Sequence, residues 1–166
     1  MNVLKELADK VKGQVTIKTI FGEEVYGFYW NEPAALKKIE AFEHRNKCRI
    51  PANYREFLLT SNGAIIYKSE SKYEDDGYKL LGIEEMESAT QEMRNDGYDI
   101  RDSWYCFIQC LFCDDVLLLD LNKEKDYIVD GDMGYPSDEW DFIHSDINTF
   151  FARLCQCNGA VYWRWK

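Results

Sequence analysis

Apolar residues recur along this chain at two periods, 3.6 and 2, and the switches between them mark out its elements. Val3, Leu4, Leu7, Ala8 and Val11 fall on one helical face and Gly13 follows where a helix stops, so the opening segment reads as a short amphipathic helix. From Gln14 to Trp30 the texture becomes β-branched and aromatic around Gly22. Val15, Ile17 and Phe21 share a face there and Val25 to Trp30 return, which predicts a hairpin. Asn31 and Pro33 signal a helix start. Ala35, Leu36, Ile39 and Phe42 then form an apolar stripe with Lys37, Lys38, Glu40 and Glu43 outside it, predicting a surface helix over 33–46. Pro51 opens another helix, in which Tyr54, Phe57 and Leu58 stand at i, i+3 and i+4, and Asn62-Gly63 supplies a left-handed terminator.

Strands dominate the second half. Ala64 to Tyr67 and Tyr78 to Leu81 read as strands around a solvated acidic turn, and Ile83, Met86, Thr90 and Met93 form one face of a helix ending near Gly97. Trp104 to Cys113 and Val116 to Leu121 flank Asp114-Asp115 as a hairpin, and Tyr127 to Val129 is a short strand. Ser145 caps a helix with Ile147, Phe150, Phe151 and Leu154 inward, and Asn158-Gly159 closes it. Val161, Trp163 and Trp165 alternate as a terminal strand covering the core. Strands in runs joined by tight polar turns predict an α+β fold, with an antiparallel or mixed sheet and helices packed on one side. With no repeat or linker in sight, residues 1–166 read as a single domain.

Charge narrows the function. The chain of 166 residues carries 30 acidic against 20 basic side chains, net −10, which excludes a basic, phosphate-tracking nucleic-acid binder. Aromatic residues at 15% argue against disorder. No apolar run approaches the roughly 18 residues a membrane helix needs. The opening MNVLKELADKVK has no continuous apolar region of the kind an export signal carries. A cytoplasmic, reducing location follows, and Cys48, Cys106, Cys110, Cys113, Cys155 and Cys157 then read as buried free thiols.

At residues 39 to 63 the chain carries Ile39 and Glu43, then Pro51, Tyr54, Phe57 and Leu58, then Asn62 and Gly63. This run is similar to the signature of the SMI1/KNR4 family, also called the SUKH superfamily: an Ile-x-x-x-Glu helix, a Leu-Pro-x-x-Tyr-x-x-Phe-Leu helix start and a closing Asn-Gly-Gly. Ile50 stands where the family usually has Leu, and Ala64 where it often has a second Gly. The resemblance implies a non-enzymatic α+β domain that needs no cofactor. In bacteria it implies an immunity protein that binds and neutralises a cognate toxin, often a nuclease. The fungal alternative is a protein-interaction scaffold in cell-wall and growth signalling. These motif residues mark the fold and imply nothing about where a partner docks.

Chemical constellations are weak by comparison. Cys106, Cys110 and Cys113 copy an iron–sulfur spacing, but Phe107, Ile108, Gln109, Leu111 and Phe112 between them suit a strand better than an open loop. A zinc site joining Cys110 and Cys113 with Cys155 and Cys157 would need separate elements to meet, and the Cys-x-Cys pair diverges. Asp130 does not open a calcium loop, since Gly134, Tyr135 and Asp141 fill the wrong positions. His44 and His144 read as surface imidazoles. What remains is a set of acidic loops, from which Glu74, Asp75, Asp76, Asp114, Asp115, Asp130 and Asp132 are the candidate toxin-binding residues. Together they would steer a basic protein partner to contact. Tyr73, Tyr78, Tyr135 and Trp140 interleave the acids as candidate anchors. Reversing Asp75, Asp76, Asp114 and Asp115 to Lys should then weaken partner binding and spare folding.

Overall fold

A computed structural model describes residues 1–72 and 75–165. Among these residues eight strands form one antiparallel sheet in chain order: β1 (Gly13–Thr19), β2 (Gly22–Trp30), β3 (Ala64–Ser69), β4 (Tyr78–Leu80), β5 (Trp104–Cys110), β6 (Val116–Asp120), β7 (Ile128–Gly131) and β8 (Phe142–Ile143). Five α-helices accompany it: α1 (Val3–Lys10), α2 (Leu36–Asn46), α3 (Ala52–Leu58), α4 (Ile83–Asn95) and α5 (Ile147–Gln156). The α+β expectation holds, and of its two sheet types the antiparallel one is realised throughout.

In an antiparallel meander, successive connections alternate between the two ends of the sheet. Here that alternation sorts the helices. α2 and α3 lie between β2 and β3, α4 between β4 and β5, and α5 follows β8, all at the end where α1 enters. The connections β1–β2, β3–β4, β5–β6 and β7–β8 return at the opposite end, and their described residues hold no α-helix. One end of the sheet is helical, the other is made of turns.

The core joins the helices to the middle of the sheet. β5 and β6 are buried along almost their whole length, so both faces are covered there. A bulge at Cys106–Ile108 breaks the β5–β6 ladder, and the Cys106 N–H it releases is accepted by Thr90 Oγ1 at 2.9 Å. Tyr54, Phe57 and Leu58 of α3 are fully buried. The Tyr54 ring meets Phe107 edge-on at 5.4 Å, and its hydroxyl donates to the Leu81 carbonyl at 2.8 Å.

Five local expectations are corrected. α2 starts at Leu36, not at residue 33, because the chain before it runs extended, with the Ala34 N–H donating to Leu58 O at 2.8 Å. α3 stops at Leu58, before Asn62-Gly63 can terminate it. The pair instead forms a joint: Asn62 Oδ1 accepts from Ile83 N at 2.8 Å at the start of α4, and Gly63, at φ +94°, lies where a Cβ would meet Leu80 O and Gly82 N at 2.8 Å. α5 is capped by Asp146, which accepts from Thr149 N at 2.8 Å, while Ser145 is buried one residue earlier. The Val161–Trp165 strand is absent. Residues Tyr162–Arg164 form a 3-10 turn that brings Tyr162 and Trp163 onto Phe150 at 5.7 and 5.2 Å, which neighbours on a strand could not do, and Trp165 is left exposed. Finally, Cys106 is buried, but Cys48, Cys110, Cys155 and Cys157 are half-buried and Cys113 is exposed.

Candidate protein-interaction surface

The turn end of the sheet collects the candidate acids, but it treats them in two ways. Asp75 and Asp114 are exposed and Asp76 is half-buried. Asp76 Oδ1 accepts from Gly77 N at 2.8 Å, and the Leu111 N–H donates to Gly77 O at 2.9 Å, so the β3–β4 loop sits beside the β5–β6 turn. Glu74 and Tyr73 lie outside the described residues.

Asp115, Asp130 and Asp132 converge on one cation. Arg164 grips Asp130 through Nε and Nη2, both at 2.7 Å, reaches Asp115 Oδ2 at 2.8 Å and approaches Asp132 at 3.6 Å. The other Asp115 oxygen accepts from Met133 N at 2.9 Å. Bidentate guanidinium–carboxylate pairing of this kind fixes geometry as well as charge. Burial works against the charge on Asp115, but the Met133 N–H and Arg164 outweigh it and hold the carboxyl below its ordinary range. Arg164 is in turn pushed further up by its bond to Asp130, against burial and with help from Asp115. Three carboxylates and one guanidinium leave a local charge of −3 + 1 = −2. These acids therefore serve the fold as a clamp on the chain after α5, and Asp115 does not belong with the acids whose reversal spares folding.

Aromatic anchors are redistributed too. Tyr78 is buried, its hydroxyl donating to Gly159 O at 2.7 Å, and burial pushes it well above the ordinary phenol range. Trp140 is also buried, stacked on Trp104 at 6.3 Å with Nε1 donating to Asp132 O at 2.8 Å. Neither is available to a partner. Tyr135 is, at 58% exposed, and so is Trp165 at 67%. A cleft of about 700 Å³ runs between them, with Asp132, Glu139 and Asp141 in its walls.

The sequence reading missed the most exposed apolar pair. Phe21 was expected on the core face, yet Ile20 is 93% and Phe21 86% exposed at the tip of the β1–β2 turn. β2 outruns β3: their pairing reaches only Tyr26↔Ser69, so Gly22 to Glu24, paired with β1, project past β3. Thr19 Oγ1 accepts from Phe21 N and donates to Gly22 O, each at 3.1 Å, which fixes the turn. The signal that could have found this pair is compositional, since two-residue hairpin turns ordinarily carry Asn, Asp or Gly. Beside the tip lies a groove of about 1010 Å³ lined by Ile20, Phe21, Asp76, Phe112 and Trp165.

Burial pushes Cys48 up to about 11 and Cys106 up to about 12, so both stay protonated near neutrality. Cys110 lies next to Cys113 and Asp115, whereas Cys155 lies against the Tyr67 hydroxyl. Among the described residues no three His, Cys, Asp or Glu side chains are placed to hold a metal ion. Both histidines are exposed, and among the described residues no helix is long and apolar enough to cross a membrane.

The model of the SMI1 / KNR4 family (SUKH-1) matches residues 33–153, from the approach to α2 through most of α5. The chain is also similar to an uncharacterized protein, YobM, of Bacillus subtilis strain 168, at 26% identity over 177 residues that take in 100% of this chain and 90% of that protein.

Proposed function

Given that the chain belongs to the SMI1/KNR4 family (SUKH-1), we propose that it is an immunity protein that neutralises a cognate toxin by stoichiometric binding. The observation that carries this reading is the partition of the sheet into a helical end and a turn end, with Asp75, Asp76 and Asp114 gathered at the latter on a chain of net −10. A toxin that holds phosphate-bearing substrates needs a basic surface, and such a surface meets an acidic one under electrostatic steering. A nuclease is the toxin class that fits. Glu74 falls in the same β3–β4 connection and belongs to the proposed surface by its place in the sequence.

No catalysis and no cofactor enter this function. An interface of standard size would cover about 1,600 Å² in total, enough to occlude a substrate groove. The test is to purify the chain with the toxin encoded beside its gene. Co-elution at one-to-one stoichiometry and protection of susceptible cells are expected; the absence of both would refute the reading. In the same assay the toxin's basic surface should make association fall steeply with salt.

A further inference from the structure

We propose that the Ile20–Phe21 hairpin tip is the apolar hot spot of the toxin interface, seated against a basic segment of the partner that carries its own apolar side chain. This rests on the immunity reading and says which part of the turn end supplies affinity rather than attraction.

Three observations carry it. The first is the tip itself. Two large apolar residues occupy the most exposed positions of a hairpin, where a turn gains nothing from them and water contact costs free energy, at 93% and 86% exposure. The second is clustering. Ile20, Phe21, Phe112 and Trp165 line one groove of about 1010 Å³, so apolar groups from the β1–β2 turn, the β5–β6 turn and the chain after α5 face the same space. Contiguous exposed apolar surface rimmed by polar groups marks an interaction site.

The third is charge. Glu24 and Asp76 line the groove, Glu23 and Asp114 flank it on the same two turns, and Lys18 at its mouth is already paired with Glu23 at 3.9 Å. An occupant therefore needs positive charge around an apolar centre. A lipid bilayer fits poorly, since an anionic surface would repel this rim. A second copy of the chain would bring the same acids face to face. A basic protein segment satisfies both the rim and the centre, with the rim acids setting the encounter rate and the buried tip setting the residence time.

The experiment measures association and dissociation rates of the purified chain with the product of the adjacent toxin gene. Ile20→Ser/Phe21→Ser is expected to raise the dissociation rate about 30-fold, with the association rate within about 3-fold of the parent. Asp75→Lys/Asp114→Lys should do the reverse, slowing association mainly. Leu36→Ser/Leu59→Ser, which removes exposed apolar groups from the helical elements, serves as control and should change neither rate. Thermal melts of all variants confirm folding. Unchanged dissociation in the tip variant, with the parent still binding toxin, overturns this inference and leaves the immunity reading standing. Failure of the parent to bind toxin removes both. Tip-dependent binding to phosphatidylcholine vesicles, or tip-dependent self-association by sedimentation, would reassign the tip to a membrane or to a second copy and likewise overturn it.

Discussion

The two ends of the sheet differ in what their polar groups do. At the helical end charges of opposite sign meet across elements: Arg45 of α2 holds Glu87 of α4, with Nη2 at 2.6 Å, Lys38 pairs with Glu84, and Lys5 of α1 reaches Glu56 of α3 at 3.2 Å. Each is solvent-exposed and worth little alone, but their presence means that the charge there is largely spent inside the molecule. At the turn end Arg164 engages three acids, and Asp75 and Asp114 point to water. Apolar groups are divided less cleanly: Ile20, Phe21, Tyr135 and Trp165 stand out at the turn end, yet Met1, Leu36 and Leu59 are exposed at the helical end. A meander thus lets one end of a sheet hold the helices while the other, apart from the Arg164 clamp, keeps acidic and apolar groups exposed.

That division can be broken most severely at Gly63. A Cβ there meets backbone atoms at 2.8 Å and sits on a left-handed φ, so Gly63→Ala should cost about 2–4 kcal/mol in a denaturant melt. Affinity of the folded fraction for toxin should not change. Tyr54→Phe is the next largest, at about 1–2 kcal/mol, because the Leu81 carbonyl loses its buried hydroxyl donor. If either substitution abolished toxin binding in the folded protein, the segregation of roles would be wrong.

The clamp is intermediate. Arg164→Ala leaves Asp115, Asp130 and Asp132 facing one another, and a loss of about 1 kcal/mol is expected, discounted because the guanidinium is 34% exposed. The pH dependence follows from the sign of the Asp115 shift. Its carboxyl is held low in the folded state, so the stabilisation is fully present above the unfolded value of about 3.9 and fades as pH falls through the folded value. Tryptophan fluorescence should report release of the Trp163 segment below about pH 4 in the parent, and Arg164→Ala should flatten that transition. Smallest of all in stability is the double reversal of the exposed Asp75 and Asp114 to Lys. Its melt should shift by less than about 0.5 kcal/mol, while toxin affinity falls by at least tenfold.

Most of the helical end was legible in the sequence. The stripe Ile39-Phe42 and the set Tyr54, Phe57 and Leu58 follow a strict period and are buried as that period requires. Asn62-Gly63 was legible as a left-handed site but not as a joint, because its partners, Leu80, Gly82 and Ile83, are close only once the β3–β4 pair has formed. The turn end was legible in charge and opaque in contact. Nothing local to Asp115, Asp130 or Asp132 shows that Arg164 will reach them. Alternation likewise misplaced Phe21, Tyr162 and Trp165, though not Trp163, since period-two reasoning fails where the chain leaves the strand. Ile20 and Phe21 break the composition expected of a turn, and such local inconsistencies tend to mark function.

Because each strand lies beside its neighbour in the chain, the sheet asks for few long loop closures during folding. A nascent polypeptide can lay it down as it emerges, each newly made strand docking onto the edge left by the one before. At every stage a single growing edge waits for the next addition, which limits the time that unpaired backbone stays open to wrong partners.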